Sequence, residues 1–138
     1  MLSGLFSHDT RHTAGVLLLT VLAIEYGGTY ILRLVRGSVP ATPLQLRLSR
    51  AGHAHAGVLV ILALVVLPYV DAAGLTGFSG AVARSGVWLA AILMPLGFFL
   101  AVAGKDVRRP NRFIALVYLG AGCLGAGVLT TGIGLLAS

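Results

Sequence analysis

The chain has 138 residues, 57% of them hydrophobic and only 10% charged, with a mean hydropathy of +0.96. A water-soluble domain carries about 25% charge, so a soluble globular fold is excluded and a single integral membrane domain is expected. The net charge is +6, but the basic residues sit in short loops between apolar spans, which argues against nucleic acid as a partner.

The first thirteen residues are short and amphipathic, with His8, Asp9, Arg11 and His12. They lack a basic start followed by a short apolar core and a cleavage site, so no signal peptide is read and the first span is expected to stay in the membrane. His8 and His12 stand at i, i+4, a ligand spacing on a helix; two ligands alone make a weak site, and solvated histidines are the simpler reading. The first span covers 14–32, close to the ~20 residues that cross a bilayer core. Glu25 interrupts it, followed by Tyr26, Gly27, Gly28 and Tyr30. An acid at this depth is expected to face the bundle interior or to be protonated. It serves either as a proton relay or hydrogen-bond partner of a histidine, or as a neutral acid tying helices together. Arg33 and Arg36 end the span, and the glycine and prolines between Gly37 and Pro43 break the helix.

The second span covers 49–70, closed by Pro68-Tyr69-Val70-Asp71, and a glycine-rich loop follows. The third covers 83–103, with Trp88 as an expected interface anchor and Met94-Pro95 as a kink. A tight basic loop holds Lys105, Arg108, Arg109 and Arg112. The fourth span, 113–136, carries Gly120, Gly122, Gly125, Gly127, Gly132 and Gly134; small residues let membrane helices approach closely, so this helix reads as a packing face within or between subunits. Cys123 lies inside it as a small apolar filler. The expected fold is all-α: four transmembrane helices with both termini on one side. Eight basic residues then share one end of the bundle and only Arg11 and Arg84 the other. The positive-inside rule would place the eight in the cytoplasm, and a prokaryotic plasma membrane is the expected location.

The chemistry concentrates where the second span begins, at Arg47-Leu48-Ser49-Arg50-Ala51-Gly52-His53-Ala54-His55-Ala56-Gly57. Ionisable groups at the mouth of a membrane helix mark a site. Each helical residue turns about 100°, so His53 and His55 diverge by about 200° and cannot bind one ion from the same face. Imidazole suits iron, copper or zinc. Zinc wants three or four protein ligands, and His53 or His55 with Glu25 falls short. Non-covalent haem b needs only one or two axial histidines, an apolar slot and cations near its propionates. No Cys-x-x-Cys-His motif is present for covalent attachment. Ala54, Ala56 and Gly57 leave room for a slot, and Arg47, Arg50, Arg108 and Arg109 supply cations whose forked geometry suits carboxylates.

Gly52-His53-Ala54-His55 followed by an apolar run resembles the tenth helix of haem-copper oxidase subunit I, in which a His-x-His pair ligates two haems on opposite faces. Residues 98–110, an apolar run ending in Gly104 and followed by Arg108-Arg109-Pro110, resemble the segment after that family's eleventh helix, whose Arg-Arg pair binds haem propionates. The likeness extends over about 45–135, with its specific part confined to roughly 20 residues. It implies that the chain corresponds to one of the family's three similar four-helix arcs. Three copies would then close a ring of twelve helices, since cyclic closure satisfies a head-to-tail interface. His53 of one copy and His55 of the next would share each haem b. The likeness also implies that the histidine-and-arginine side faces outward, opposite to the positive-inside count. No three-histidine copper site or histidine-linked tyrosine motif is present, so the likeness implies haem binding and electron transfer rather than oxygen reduction.

Three function classes follow: a membrane haem b protein that passes electrons, with a protein or quinone as redox partner; a small proton-coupled transporter using Glu25 and the histidines; and a non-catalytic respiratory accessory subunit. Membrane lipid is a partner in all three.

Overall fold

In the computed structural model, which describes residues 6–138, the chain is all-helical. Its elements are α1 (His8–Val35), α2 (Pro43–Ala72), α3 (Gly77–Leu100) and α4 (Ala115–Ala137), with a single 3₁₀ turn, Arg112–Ile114, before α4. All four long helices are long and apolar enough to cross a membrane, and the chain is a multi-pass membrane protein. The reading of the first thirteen residues falls partly on 1–5, outside the described residues.

Local signals set the helix ends further out than hydropathy alone suggests. The Ser7 hydroxyl caps α1 by accepting from the Thr10 amide at 3.1 Å, so the helix begins at His8, well before residue 14. It ends in a left-handed Gly37 (φ 71°), with the Ser38 amide donating back to Arg33 and the Gly37 amide to Leu34, the arrangement that satisfies terminal carbonyls. α2 starts at Pro43, not at residue 49. Thr42 and Gln45 form a reciprocal capping box, and proline at the first helical turn loses no hydrogen bond. The same helix runs through Pro68 to Ala72, so the Pro68–Asp71 segment does not close it. α3 begins earlier than 83 and stops at Leu100, before Gly104 (φ 127°) and Asp106 (φ 51°) reverse the chain.

The helices form an open arc. α3 packs against α2 on one side and α4 on the other, α4 also touches α2, and the backbone of α1 approaches that of α2 alone. The α3–α4 seam is built on glycine. A Cβ at Gly86 would stand 2.5 Å from the Cys123 carbonyl oxygen, and one at Gly120 would stand 2.6 Å from Met94. Small residues permit this approach of helix backbones, from which membrane packing derives much of its energy. Of the α4 glycines, Gly120 and Gly127 face α3, Gly134 meets Leu75, and Gly122, Gly125 and Gly132 look onto open space. The described core is a row of Leu17, Val60, Ala63, Leu67 and Val87, flanked by Leu59, Ala90 and Met94.

Candidate functional site

The two basic loops are joined. The Thr42 hydroxyl donates to the Val107 carbonyl at 2.6 Å, and the Gln45 amide donates to the carbonyls of Val102 at 3.1 Å and Gly104 at 2.8 Å. The start of α2 is thereby clamped to the chain leaving α3, which brings Arg47 and Arg50 to the same end of the bundle as Arg108 and Arg109. All four arginines are exposed, and none has a carboxylate partner among the described residues.

One turn further into α2 lie the histidines, on different faces as their spacing requires. His53 points toward α1: a Cβ at Gly28 would stand 3.3 Å from its Nε2 and 3.4 Å from its Cε1. Glycine at this one position therefore makes the space in which the imidazole lies. The His53 ring opens into an apolar groove of about 640 Å³ between α1, α2 and α3. Its upper end is lined by Gly27, Tyr30, His53, Ala56 and Phe99, and its lower end by His12, Thr13, Val16, Thr20 and Trp88. The volume falls in the usual range for a ligand site, ~300–1,000 Å³.

His55 is half-buried on the other side. Its ring packs against Phe98 at a centroid distance of 4.9 Å, and its Nδ1 lies 2.8 Å from the Ala51 carbonyl oxygen. With the proton on Nδ1, that nitrogen donates to the carbonyl and Nε2 keeps its lone pair. A backbone carbonyl on one ring nitrogen is a common way of orienting the other as a ligand. Among the described residues no three His, Cys, Asp or Glu side chains gather to hold a bare metal ion. The donor set is thus one imidazole per face, and Gly28 leaves the room that the His53 ring occupies.

One expectation is corrected. Glu25 does not face the bundle interior: it stands exposed on the outer side of α1, because the α1 backbone approaches α2 alone and the groove takes the face that carries Thr20, Ala23 and Gly27. It is no hydrogen-bond partner of His55 within one chain, since the Ala51 carbonyl occupies that Nδ1. Trp88 stands half-buried in the groove wall, one helical turn from Arg84.

Sequence reasoning also missed the polar knot at the other end. Arg84 donates from Nη1 to Asp71 Oδ1 at 2.7 Å, to the Thr10 hydroxyl at 2.8 Å and to the Ser7 hydroxyl at 3.2 Å, and the Ser7 amide donates to Asp71 Oδ2 at 2.9 Å. The only sequence signal was an acid and an arginine flanking one short loop. His8 and His12 are exposed, with rings 6.4 Å apart.

Comparison with family models, with curated proteins and with solved structures returns no match.

Proposed function

We propose that this protein is an integral membrane haem b protein that carries electrons, with His53 and His55 as axial ligands and a cyclic homotrimer as its working form. The observation that carries the reading is the seat of His53. Its imidazole lies in the space left by Gly28, opens to an apolar groove beside Tyr30 and Phe99, and stands at the end of the bundle where four exposed arginines collect. An axial base, an apolar slot and cations for propionates are what non-covalent haem asks of a protein. Arg47, Arg50, Arg108 and Arg109 are the candidate propionate partners, by virtue of their forked donors.

Haem iron supplies a one-electron couple, tuned by its axial ligands and burial. The chain's own residues would set its surroundings. The Ala51 carbonyl holds the His55 tautomer, Phe98 and Phe99 exclude water beside the imidazoles, and two histidines on one iron would leave no open position. The opposed faces of His53 and His55 support sharing between copies, because one helix cannot bring both rings to one iron. The open edges of the arc, where α1 and α4 meet no third helix, support a head-to-tail neighbour. Glu25, exposed on the α1 edge, is consistent with such a neighbour, since an acid in hydrocarbon needs cover.

The test is a reduced-minus-oxidised visible spectrum of protein purified in mild detergent, beside His53→Ala and His55→Ala. Sharp α and Soret bands are expected in the parent and lost in both variants, with the haem-loaded species at three times the monomer mass. A flat spectrum from cells supplied with haem overturns haem binding. A monomeric mass for haem-loaded protein overturns sharing and leaves binding standing.

A further inference from the structure

The first turns of α1 carry two histidines that play no part at the His53 end. The Ser7 hydroxyl caps the helix against the Thr10 amide, so His8 and His12 both lie within α1. Residues four apart on a helix are neighbours on one face. The turn between them is held in place, because Arg84 of α3 donates to the hydroxyls of Ser7 and Thr10. Both imidazoles are exposed. Among the described residues only the His55 ring is hydrogen-bonded, so the ring nitrogens of His12 are uncommitted. The rings of His8 and His12 lie nearly parallel, 16° apart in plane and 6.4 Å between centres. His8 turns its Nδ1 to the Asp9 carboxylate at 3.8 Å, which leaves its Nε2 to act as a ligand.

We propose that His8 and His12 together chelate a divalent late-transition-metal ion, Cu²⁺ ahead of Zn²⁺ and Ni²⁺, with water in the remaining positions. Imidazole is a preferred donor for these ions, and affinity among them peaks at copper. A metal ~2.1 Å from each nitrogen puts the two ring centres at most about 6.5 Å apart. The observed 6.4 Å is within that reach, so rotation of two exposed side chains brings both nitrogens onto one ion with the backbone unmoved. Asp9 acts behind the metal rather than on it. A carboxylate at the second ring nitrogen fixes the tautomer and raises the basicity of the first. Its charge also offsets the positive end of the α1 dipole, which would otherwise repel a cation. Among the described residues no third His, Cys, Asp or Glu donor joins the pair, which makes the site open and exchangeable rather than closed and structural. Sixteen residues of α1 separate His12 from Gly28, beside His53, about 24 Å of helix. The site therefore does not depend on haem.

The experiment titrates Cu²⁺ into the full chain, purified in mild detergent without a histidine tag, and follows the electron paramagnetic resonance of the bound ion. One ion per chain is expected, with superhyperfine structure from two nitrogen donors and a Kd below ~100 μM. His8→Ala and His12→Ala should each weaken binding at least tenfold, since even the loss of a partner that only orients a ligand costs ~10–100-fold. Both side chains are exposed, so circular dichroism should show helix content unchanged in either variant. Asp9→Asn should keep the two-nitrogen signal and cost only about threefold, because an exposed carboxylate is screened by solvent and salt. The double variant His53→Ala with His55→Ala should bind Cu²⁺ as the parent does. A Kd weaker than ~1 mM, a signal with one nitrogen donor, or binding that survives His8→Ala overturns the site. Loss of the Cu²⁺ signal in the His53→Ala, His55→Ala variant, with His8 and His12 intact, overturns it in favour of metal at the other end.

Discussion

Arg84 and the four arginines around the start of α2 are used in opposite ways. At the end where α1 begins, Arg84 is consumed by the fold: its guanidinium holds Asp71, Thr10 and Ser7 together, and the pair is largely buried, with the side chains only 22% and 14% exposed. At the end where α2 begins, the fold holds itself with neutral hydrogen bonds, Thr42 to Val107 and Gln45 to Val102 and Gly104. Arg47, Arg50, Arg108 and Arg109 are left exposed around them. A charge used for structure is desolvated and paired, because an unpaired one at membrane depth is costly. A charge held beside a site but outside the structural network remains available to an anionic partner. The difference separates a cation built into the fold from cations left outside it.

The sharpest way to break this comparison is Arg84→Ala. It strands Asp71 and unties α1 from α3, and should cost about 2 kcal/mol, somewhat below a fully buried pair because both groups keep some solvent. Denaturation in mixed micelles, followed by circular dichroism, measures it; a loss under ~0.5 kcal/mol would place Arg84 with the arginines of the other end. Next comes Thr42→Ala, which removes a helix cap and the tie to Val107, with an expected cost of about 1 kcal/mol in the same assay. The smallest effect on stability is expected for Arg108→Gln with Arg109→Gln, within about 0.5 kcal/mol of the parent as for other exposed substitutions. That pair should instead weaken haem retention roughly tenfold, as the loss of charge-assisted contacts to carboxylates does, read by titrating haem into apoprotein. A stability loss like that of Arg84→Ala would show that these arginines also hold the fold together.

A finer comparison lies across α2. Gly28 makes room for the His53 ring, whereas His55 is held by its own helix through Ala51 and by Phe98. Gly28→Ala places a methyl 3.3 Å from His53 Nε2, a contact that a few tenths of an ångström of ring movement relieves. It should shift the haem bands and leave stability within about 0.5 kcal/mol.

The four spans were legible because crossing a bilayer demands about 20 apolar residues in a row, and no packing detail changes that. The opposed faces of His53 and His55 were also legible, since a fixed turn per residue determines them. The common end for Arg47, Arg50, Arg108 and Arg109 follows from counting spans. What the sequence left open was which side of each helix faces a neighbour. Glu25 read as an acid that either faces the interior or is protonated, and it lies outside, because the α1 backbone rests on α2 through one narrow face and turns another to the groove. Trp88 read as an interfacial ring, and only the splaying of α1 from α3 makes it a wall. Asp71 and Arg84 looked like residues flanking a loop, and only folding brings Ser7 and Thr10, more than sixty residues away in the chain, to complete their knot. Span and periodicity are properties of the local chain, and the sequence by itself determines them. The groove, the cradle at Gly28 and the pairing of charges depend on distances between helices, which are set by side-chain volumes at contacts remote in sequence, so only the tertiary structure decides them.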